Sequence, residues 1–174
     1  GGANPVPFAR MDAFFDHDRR QLRLVEVNGE TPAGVAYTDA LAEKFESLPP
    51  MRAIRDLHRL NYVPGCARVL DSLLQLARGA GVSGAPAVAI VDWDDVPTQP
   101  EFELFARFFE AQGVPTTIGS PEELAYAAGE LRLHGRPVNI VYKRVLVSEL
   151  LERFGLDTTL VRALRDGGAV MAKG

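Results

Sequence analysis

The sequence predicts an α/β fold in which an N-terminal β-hairpin is followed by helices and a small parallel or mixed sheet. Near the N-terminus, two strand-like segments flank a polar turn. The middle of the chain has apolar residues at helical spacing. From residue 86 onward, short apolar runs alternate with amphipathic segments. Such alternation favours a parallel sheet covered by helices.

Composition excludes several classes of function. Of the 174 residues, 47% are hydrophobic and 24% are charged, which argues against a disordered chain. Nineteen basic and 23 acidic side chains give a net charge of −4, so we expect no nucleic-acid partner. No apolar run reaches the roughly 18 residues of a membrane span. One cysteine excludes an internal disulfide and a cysteine-based zinc cage. We therefore expect a cytoplasmic protein with no membrane partner.

The first expected element is the hairpin. Residues 8–16 carry Met11, Phe14 and Phe15 in a strand-like run, and residues 21–28 alternate apolar with polar side chains before Gly29. The polar segment between them predicts a loop of about five residues.

Three helices are expected next, at residues 38–48, 51–62 and 66–78. The third places six apolar side chains on one face: Cys66, Val69, Leu70, Leu73, Leu74 and Ala77. Glycines follow this helix, and we place a domain boundary there. The expected division is a hairpin segment (1–48), a helical connector (49–84) and an α/β domain (85–174).

The α/β region is expected to hold four strands, at residues 87–91, 116–118, 131–133 and 138–145. Helices are expected at 100–112, 121–129, 147–154 and 158–165. The helix at 121–129 is predicted from its first residues. Ser120 is a favourable cap, Pro121 suits the first helical position and Glu123 suits the third.

The residues that carry chemistry concentrate in the hairpin. Because side chains alternate along a strand, Arg10 and Asp12 share one face, as do Glu26 and Asn28. With the loop centred on Arg19, Asp12 lies opposite Glu26, and Arg10 lies opposite Asn28. Opposed Cβ atoms are about 4.5–5.5 Å apart, where two carboxylates repel unless a cation lies between them. Two carboxylates and an amide oxygen suit a Mg²⁺ ion that also holds phosphate.

The pattern of these four residues leaves a plainer interpretation open. They could form a solvated polar face on which two acids happen to align. A slip of one residue in strand register would also move Glu26 and Asn28 to the face opposite Asp12.

Two strings in the hairpin resemble a known metal-binding segment. They are Arg10-Met11-Asp12 and, starting fourteen residues after Asp12, Glu26-Val27-Asn28-Gly29-Glu30-Thr31-Pro32-Ala33-Gly34. Both are similar to the closing segment of ATP-grasp ligases, such as D-alanine–D-alanine ligases and glutathione synthetases. The resemblance implies that Asp12, Glu26 and Asn28 hold Mg²⁺ on the phosphates of ATP. It also implies that Arg10 is catalytic and steadies the acyl-phosphate transition state. Thr31 is a candidate for substrate binding.

The order of the segments resembles one group within that family. In ordinary ATP-grasp enzymes this segment comes last, whereas here an α/β region follows it. Ala33 in the second string, and the Tyr142-Lys143-Arg144 string, are similar to circularly permuted ATP-grasp proteins related to glutathionylspermidine synthase. In that group the metal-binding end precedes a Rossmann-like pre-ATP-grasp domain, and the nucleotide-clamping lobe comes afterwards.

This resemblance implies a fragment of a ligase that uses ATP and Mg²⁺. The substrates would be a small-molecule carboxylate and an amine or thiol. Because the nucleotide-clamping lobe has no counterpart in the sequence, we expect the fragment to be inactive alone and to hold neither ATP nor Mg²⁺ by itself.

Further charged residues lie where open α/β sheets bind ligands, at the carboxyl ends of strands. Asp92 and Asp94 follow the first α/β strand, and Lys143 and Arg144 lie in the 138–145 strand. We expect Asp92, Lys143 and Arg144 to line one crevice and to bind a substrate carboxylate or phosphate.

Two alternatives to the ligase follow from the same residues. Asp92 and Asp94 are similar to the paired acids of a nucleotide-sugar glycosyltransferase that uses Mn²⁺. The other alternative is a non-catalytic binding or scaffold module, in which these acids and bases are ordinary polar loop residues.

Overall fold

The computed structural model describes residues 7–82 and 84–172 and shows a mixed α/β structure with parallel and antiparallel sheets. Its helices are α1 (Val35–Ser47), α2 (Pro49–Leu57), α3 (Gly65–Gly79), α4 (Gln99–Ala111), α5 (Val147–Phe154) and α6 (Thr159–Arg165). Its strands are β1 (Arg10–Asp16), β2 (Gln21–Asn28), β3 (Val88–Val91), β4 (Thr116–Gly119), β5 (Leu124–Ala127), β6 (Glu130–Leu133), β7 (Arg136–Val138), β8 (Ile140–Lys143) and β9 (Val170–Ala172).

A parallel sheet with the order β4-β3-β8-β9 forms the centre of the fold. The predicted strand at 87–91 is confirmed, and all four residues of β3 are buried, as expected for an uninterrupted apolar run. From β3 the chain passes through α4 to β4 on one side. From β8 it passes through α5 and α6 to β9 on the other. The strand order therefore reverses between β3 and β8, and such switch points are where open α/β sheets bind ligands.

The two faces of the sheet bury separate clusters of apolar side chains. Val88 and Ile90 point to the face covered by α1, α3 and α4, whereas Ala89 and Val91 point to the face covered by α5, α6 and the antiparallel sheet β5-β6-β7. The range 49–84, expected to be a connector, contributes α3 to the first cluster, where five of its side chains are buried. By contrast, α2 has no buried residue.

One predicted helix is wrong. After Ser120 the chain makes a single 3₁₀ turn, Pro121–Glu123, with the expected capping box, and then enters β5 instead of a helix. Ala128 and Gly129 both have positive φ, 52° and 81°, and form a tight two-residue turn into β6. This hairpin is favoured because it buries Leu124, Leu131 and Leu133 against the central sheet.

The expected strand at 138–145 is divided between two sheets. β7 pairs antiparallel with β6, whereas β8 pairs parallel with β3 and β9. Strand β9 has only three residues, and the sequence analysis did not predict it.

Candidate functional site

The hairpin places the four predicted polar residues on one face. β1 and β2 are antiparallel, Arg10 pairs with Asn28, and Asp12 pairs with Glu26, which confirms the predicted pairing. The loop that joins the strands has four residues, 17–20, rather than five. The difference is made up by a β-bulge, because Asp12 pairs with Glu26 while Ala13 pairs with Leu24.

The bulge keeps most apolar side chains of the hairpin on one face, while Phe14 lies on the polar face opposite Arg23. Apolar residues meet on one face in the pairs Met11–Val27, Ala13–Leu24 and Phe15–Leu22. In β2 the apolar–polar alternation breaks at the adjacent Leu24 and Val25, and the bulge leaves Val25 without a partner in the ladder. A regular ladder in the register of Asp12 and Glu26 would instead set Phe15 opposite Arg23.

The apolar face of the hairpin is open to solvent. Its larger side chains are between 51% and 63% exposed: Met11, Phe15, Leu22, Leu24 and Val27. Two-stranded hairpins are marginally stable in water unless a face packs against another element. This face therefore has the composition of a packing surface.

On the polar face, the guanidinium of Arg10 lies between the two carboxylates. Its Nε donates to Asp12 Oδ1 at 2.9 Å, and its Nη2 donates to Asp12 Oδ2 at 3.1 Å. The same Nη2 lies 3.8 Å from Glu26 Oε1. The hydrogen bond from Arg10 lowers the pKa of Asp12 and, reciprocally, raises the pKa of Arg10. Asp12 is therefore held ionised, as a metal ligand must be.

Asn28 completes the set of polar residues on this face, and the oxygen atoms of the set fit a hard cation. Its Nδ2 donates to Glu26 Oε1 at 2.8 Å, so the amide nitrogen and not the amide oxygen makes this contact. Among the described residues, no group of three or more His, Cys, Asp or Glu side chains is placed to hold a metal. The available ligands are two carboxylates and one amide. This set suits Mg²⁺, which keeps several waters or phosphate oxygens.

Residues 30–36, which we call the strap, join the hairpin to the central sheet. Glu30 Oε1 accepts from Lys143 Nζ at 3.1 Å and from the backbone N–H of Val147, at the start of α5, at 2.7 Å. The hydrogen bond from Val147 is the main cause that lowers the pKa of Glu30. Two residues further on, Pro32 O accepts from Arg144 Nη1 at 2.5 Å.

The end of the strap is bound by Glu101 of α4. This side chain is fully buried, and its Oε1 accepts from the backbone N–H groups of Gly34 at 2.8 Å and Ala36 at 3.1 Å. Those groups lie at the N-terminus of α1, where a negative charge is favourable. Glu101 Oε2 lies 3.8 Å from Arg144 Nη2. The Arg144 guanidinium also lies 5.5 Å from the ring centroids of Phe102 and Tyr142.

No protein-family model matches this chain, and no curated protein matches its sequence. Each helix among the described residues is too short or too polar to cross a membrane.

The structure brings Asp92, Lys143 and Arg144 to one edge of the sheet, as predicted. Val91 pairs with Lys143 in adjacent parallel strands, and the residue after each strand continues from the same edge. However, Lys143 and Arg144 are only 1% and 5% exposed, and their cationic groups contact the strap. Substrate binding by these two residues stays a prediction.

The remaining predicted residues are more accessible. Asp92 is about half-buried, and this burial raises its pKa, while its Oδ1 accepts from the backbone N–H of Trp93 at 2.9 Å. Asp94 is exposed on the turn that follows. Thr31 is partly exposed within the strap.

Glu101 was missed by the sequence analysis. A signal was present, since Glu101 stands four residues before Phe105 and eight before Phe109, on the stripe of α4 that is buried. A charged side chain on an apolar helix face requires a buried partner. Here the partners are the strap backbone and Arg144.

Proposed function

We propose that this chain is the metal-binding hairpin and pre-ATP-grasp domain of a circularly permuted ATP-grasp ligase. The ligase joins a carboxylate to an amine or thiol through an acyl-phosphate. One observation carries the proposal: Arg10, Asp12, Glu26 and Asn28 converge on one face of a hairpin. Their pairing is the one that a metal site built from these strings requires.

The chemistry of the four residues agrees with phosphoryl transfer. Asp12 and Glu26 supply negative charge, and Asn28 adds a neutral amide ligand. Bound Mg²⁺ would offset the charge on the transferring phosphoryl group. Arg10 keeps a permanent positive charge on the same face, and its planar guanidinium matches the oxygens of a phosphate or an acyl-phosphate.

The central sheet also supports the proposal. Its order, with β3 between β4 and β8 and helices on both faces, includes a switch point and is compatible with a Rossmann-like domain. The strap contacts Lys143 and Arg144 at that end of the sheet, so it links the candidate metal-binding hairpin to the switch point. A substrate held at the sheet edge would therefore lie on the side of the domain to which the hairpin is attached.

ATP turnover by the full-length protein tests this function. With candidate acids and amines supplied, Glu26→Gln and Asn28→Ala should each lower turnover by roughly 100-fold or more, since each removes a contact to developing charge. Gln keeps the shape of Glu26 and removes its charge. Asp18→Asn, which removes a carboxylate from the loop of the same hairpin, should keep turnover near the wild-type value. Normal ATP turnover by both site variants, with folding intact, would show that the ligase proposal is wrong.

The exposed apolar face of the hairpin favours a second candidate, a non-catalytic binding module. In that case the hairpin packs against another polypeptide and its polar face is merely solvated. The experiment above separates the two functions, because the function of a binding module does not depend on the charge of Glu26.

A further inference from the structure

The contacts of the strap converge on three residues of the α/β domain. Lys143 binds the Glu30 carboxylate, Arg144 binds the carbonyl of Pro32, and Glu101 binds the backbone N–H groups at the strap's end. Every one of these three side chains is at least 95% buried. Charged groups this deeply buried are costly unless they are paired, and the strap supplies a partner to each of the three.

These contacts begin two residues after the candidate metal ligand Asn28. The strap is short, with its first anchor at Glu30 and its last at Ala36. Holding the strap in place therefore also fixes the position of the end of β2 relative to the domain. The strap also contacts the first strand of the hairpin, β1, where Arg10 Nη1 donates to Ala33 O at 3.3 Å. The strap thus touches the polar face of the hairpin and the edge of the sheet together.

We propose that Glu101, Lys143 and Arg144 are positioning residues, which hold the strap, and with it the polar face of the hairpin, at the switch-point edge of the sheet. They act through the strap and do not touch substrate. The positioning itself rests on the contacts alone. Its purpose, which is to place the candidate metal ligands, rests on the proposed function.

The geometry favours positioning over substrate binding for Lys143 and Arg144. Lys143 Nζ already contacts Glu30 and the carbonyl of Val145, at 3.1 and 2.8 Å. Arg144 contacts Pro32 and the hydroxyl of Tyr142 and lies beside Glu101. A substrate anion would have to displace the strap before it reached either cation.

Backbone ¹⁵N relaxation of this chain tests the positioning without ATP or metal. Glu30→Ala removes the acceptor of Lys143 and Val147 at a partly exposed position, so the domain should still fold. We expect the order parameters of the amides nearest the lost contact, at positions 30 and 31, to fall from about 0.85 to below about 0.6, while the amides bound by Glu101 and those of β3 and α4 keep rigid values. Glu30→Gln keeps an oxygen acceptor and should restore most of the order. Glu43→Ala, an exposed acid on α1, is the matched control and should change nothing.

A second readout separates positioning from a purely structural role. In the full-length protein, Glu30→Ala should lower kcat for ATP turnover by about tenfold and leave the KM for ATP within about twofold, because hairpin placement affects the reacting groups. Glu30→Gln should recover most of that loss.

Either of two results would overturn the positioning proposal: amides at positions 30 and 31 that stay rigid in Glu30→Ala, or mobile amides there with unchanged kcat. Failure of the ligase proposal would look different. In that case Glu26→Gln would turn over ATP normally while the relaxation result still held.

Discussion

Asp12 lies opposite Glu26 across the hairpin, and the guanidinium of Arg10 lies between the two carboxylates. The arrangement resolves a conflict that the sequence already contains. Two opposed carboxylates repel unless a positive charge lies between them, and the guanidinium of Arg10 supplies that charge. Binding of Mg²⁺ would therefore compete with an internal ion pair, which makes the affinity of the site dependent on Arg10.

The first prediction concerns the pKa of Asp12. Arg10→Met removes the hydrogen bonds that lower this pKa, so it should rise toward the ordinary range of an aspartate. Because the folded-state pKa is depressed, the stabilisation by this pair is present above the unfolded-state pKa and is lost as the pH falls through the folded-state value. Carboxyl ¹³C titration by NMR measures the change. Arg23→Met, on the neighbouring strand β2, should leave the titration of Asp12 unaltered.

The second prediction concerns Asp39, which caps α3 from α1. Its carboxylate accepts from the backbone N–H groups of Gly65 and Cys66, both at 2.8 Å, and from the hydroxyl of Tyr62. Asp39→Ala should lower the free energy of unfolding by about 1–2 kcal/mol, as loss of a helix cap does. Urea denaturation measures it, with Asp71→Ala, an exposed acid in α3, as the control. Equal midpoints for the two variants would contradict the prediction.

The same carboxylate gives a pH dependence, which is the third prediction. Partial burial opposes ionisation of Asp39, but the hydrogen bonds from Tyr62, Cys66 and Gly65 outweigh it and lower the pKa. The unfolded state therefore binds the proton more readily, and the stabilisation is lost as the pH falls through the folded-state pKa. Urea midpoints measured between neutral and acidic pH should fall more steeply for the wild type than for Asp39→Asn. Parallel curves would exclude Asp39 as the titrating group.

The fourth prediction concerns the thiol of Cys66. Burial is the main cause that raises its pKa to about 12, and the neighbouring Asp39 carboxylate adds to the effect. The reactive thiolate is therefore scarce, although the residue lies at a helix N-terminus, where thiol pKa values usually fall. With a disulfide reagent at pH 8, we expect labelling about 100-fold slower in the folded chain than in urea. Rapid labelling of the folded chain would show that Cys66 is accessible.

The fifth prediction concerns the apolar face of the hairpin. Leu22→Thr and Leu24→Thr replace exposed side chains with a residue suited to strands, so each should change the free energy of unfolding by less than about 0.5 kcal/mol. Urea denaturation measures the change. Leu73→Ala, in the buried face of α3, is the contrast and should cost about 2–5 kcal/mol. A comparable loss in the threonine variants would mean that this face is packed within the chain.

The periodicity of apolar residues predicted most of the helices and strands, because the spacing of these residues reflects which face of each element is buried. The expected helix at 66–78 is α3, Gly65–Gly79, and the expected strand at 87–91 is β3, Val88–Val91. Ser120 shows where such local signals end. Its capping pattern is real, but the same pattern begins a single 3₁₀ turn as well as a long helix. The choice depended on long-range burial of Leu124, Leu131 and Leu133, which no local pattern records.

The pairing at the candidate site was predicted correctly, although the predicted length of the loop was wrong. A five-residue loop gives Asp12 opposite Glu26, and so does a four-residue loop with a bulge. The strap contacts were outside the reach of any local pattern. Glu30 and Lys143 are 113 positions apart, and nothing near either residue marks the other as its partner.

The unpaired Val25 bears on how this hairpin can change in length. Without Val25, β2 would alternate polar and apolar side chains from Gln21 to Asn28, and the ladder would be regular with both faces unchanged. Position 25 is therefore a place where one residue can be lost without disturbing the pairing of Asp12, Glu26 or Asn28. A chain without Val25 would still present the same four polar groups on one face of the hairpin.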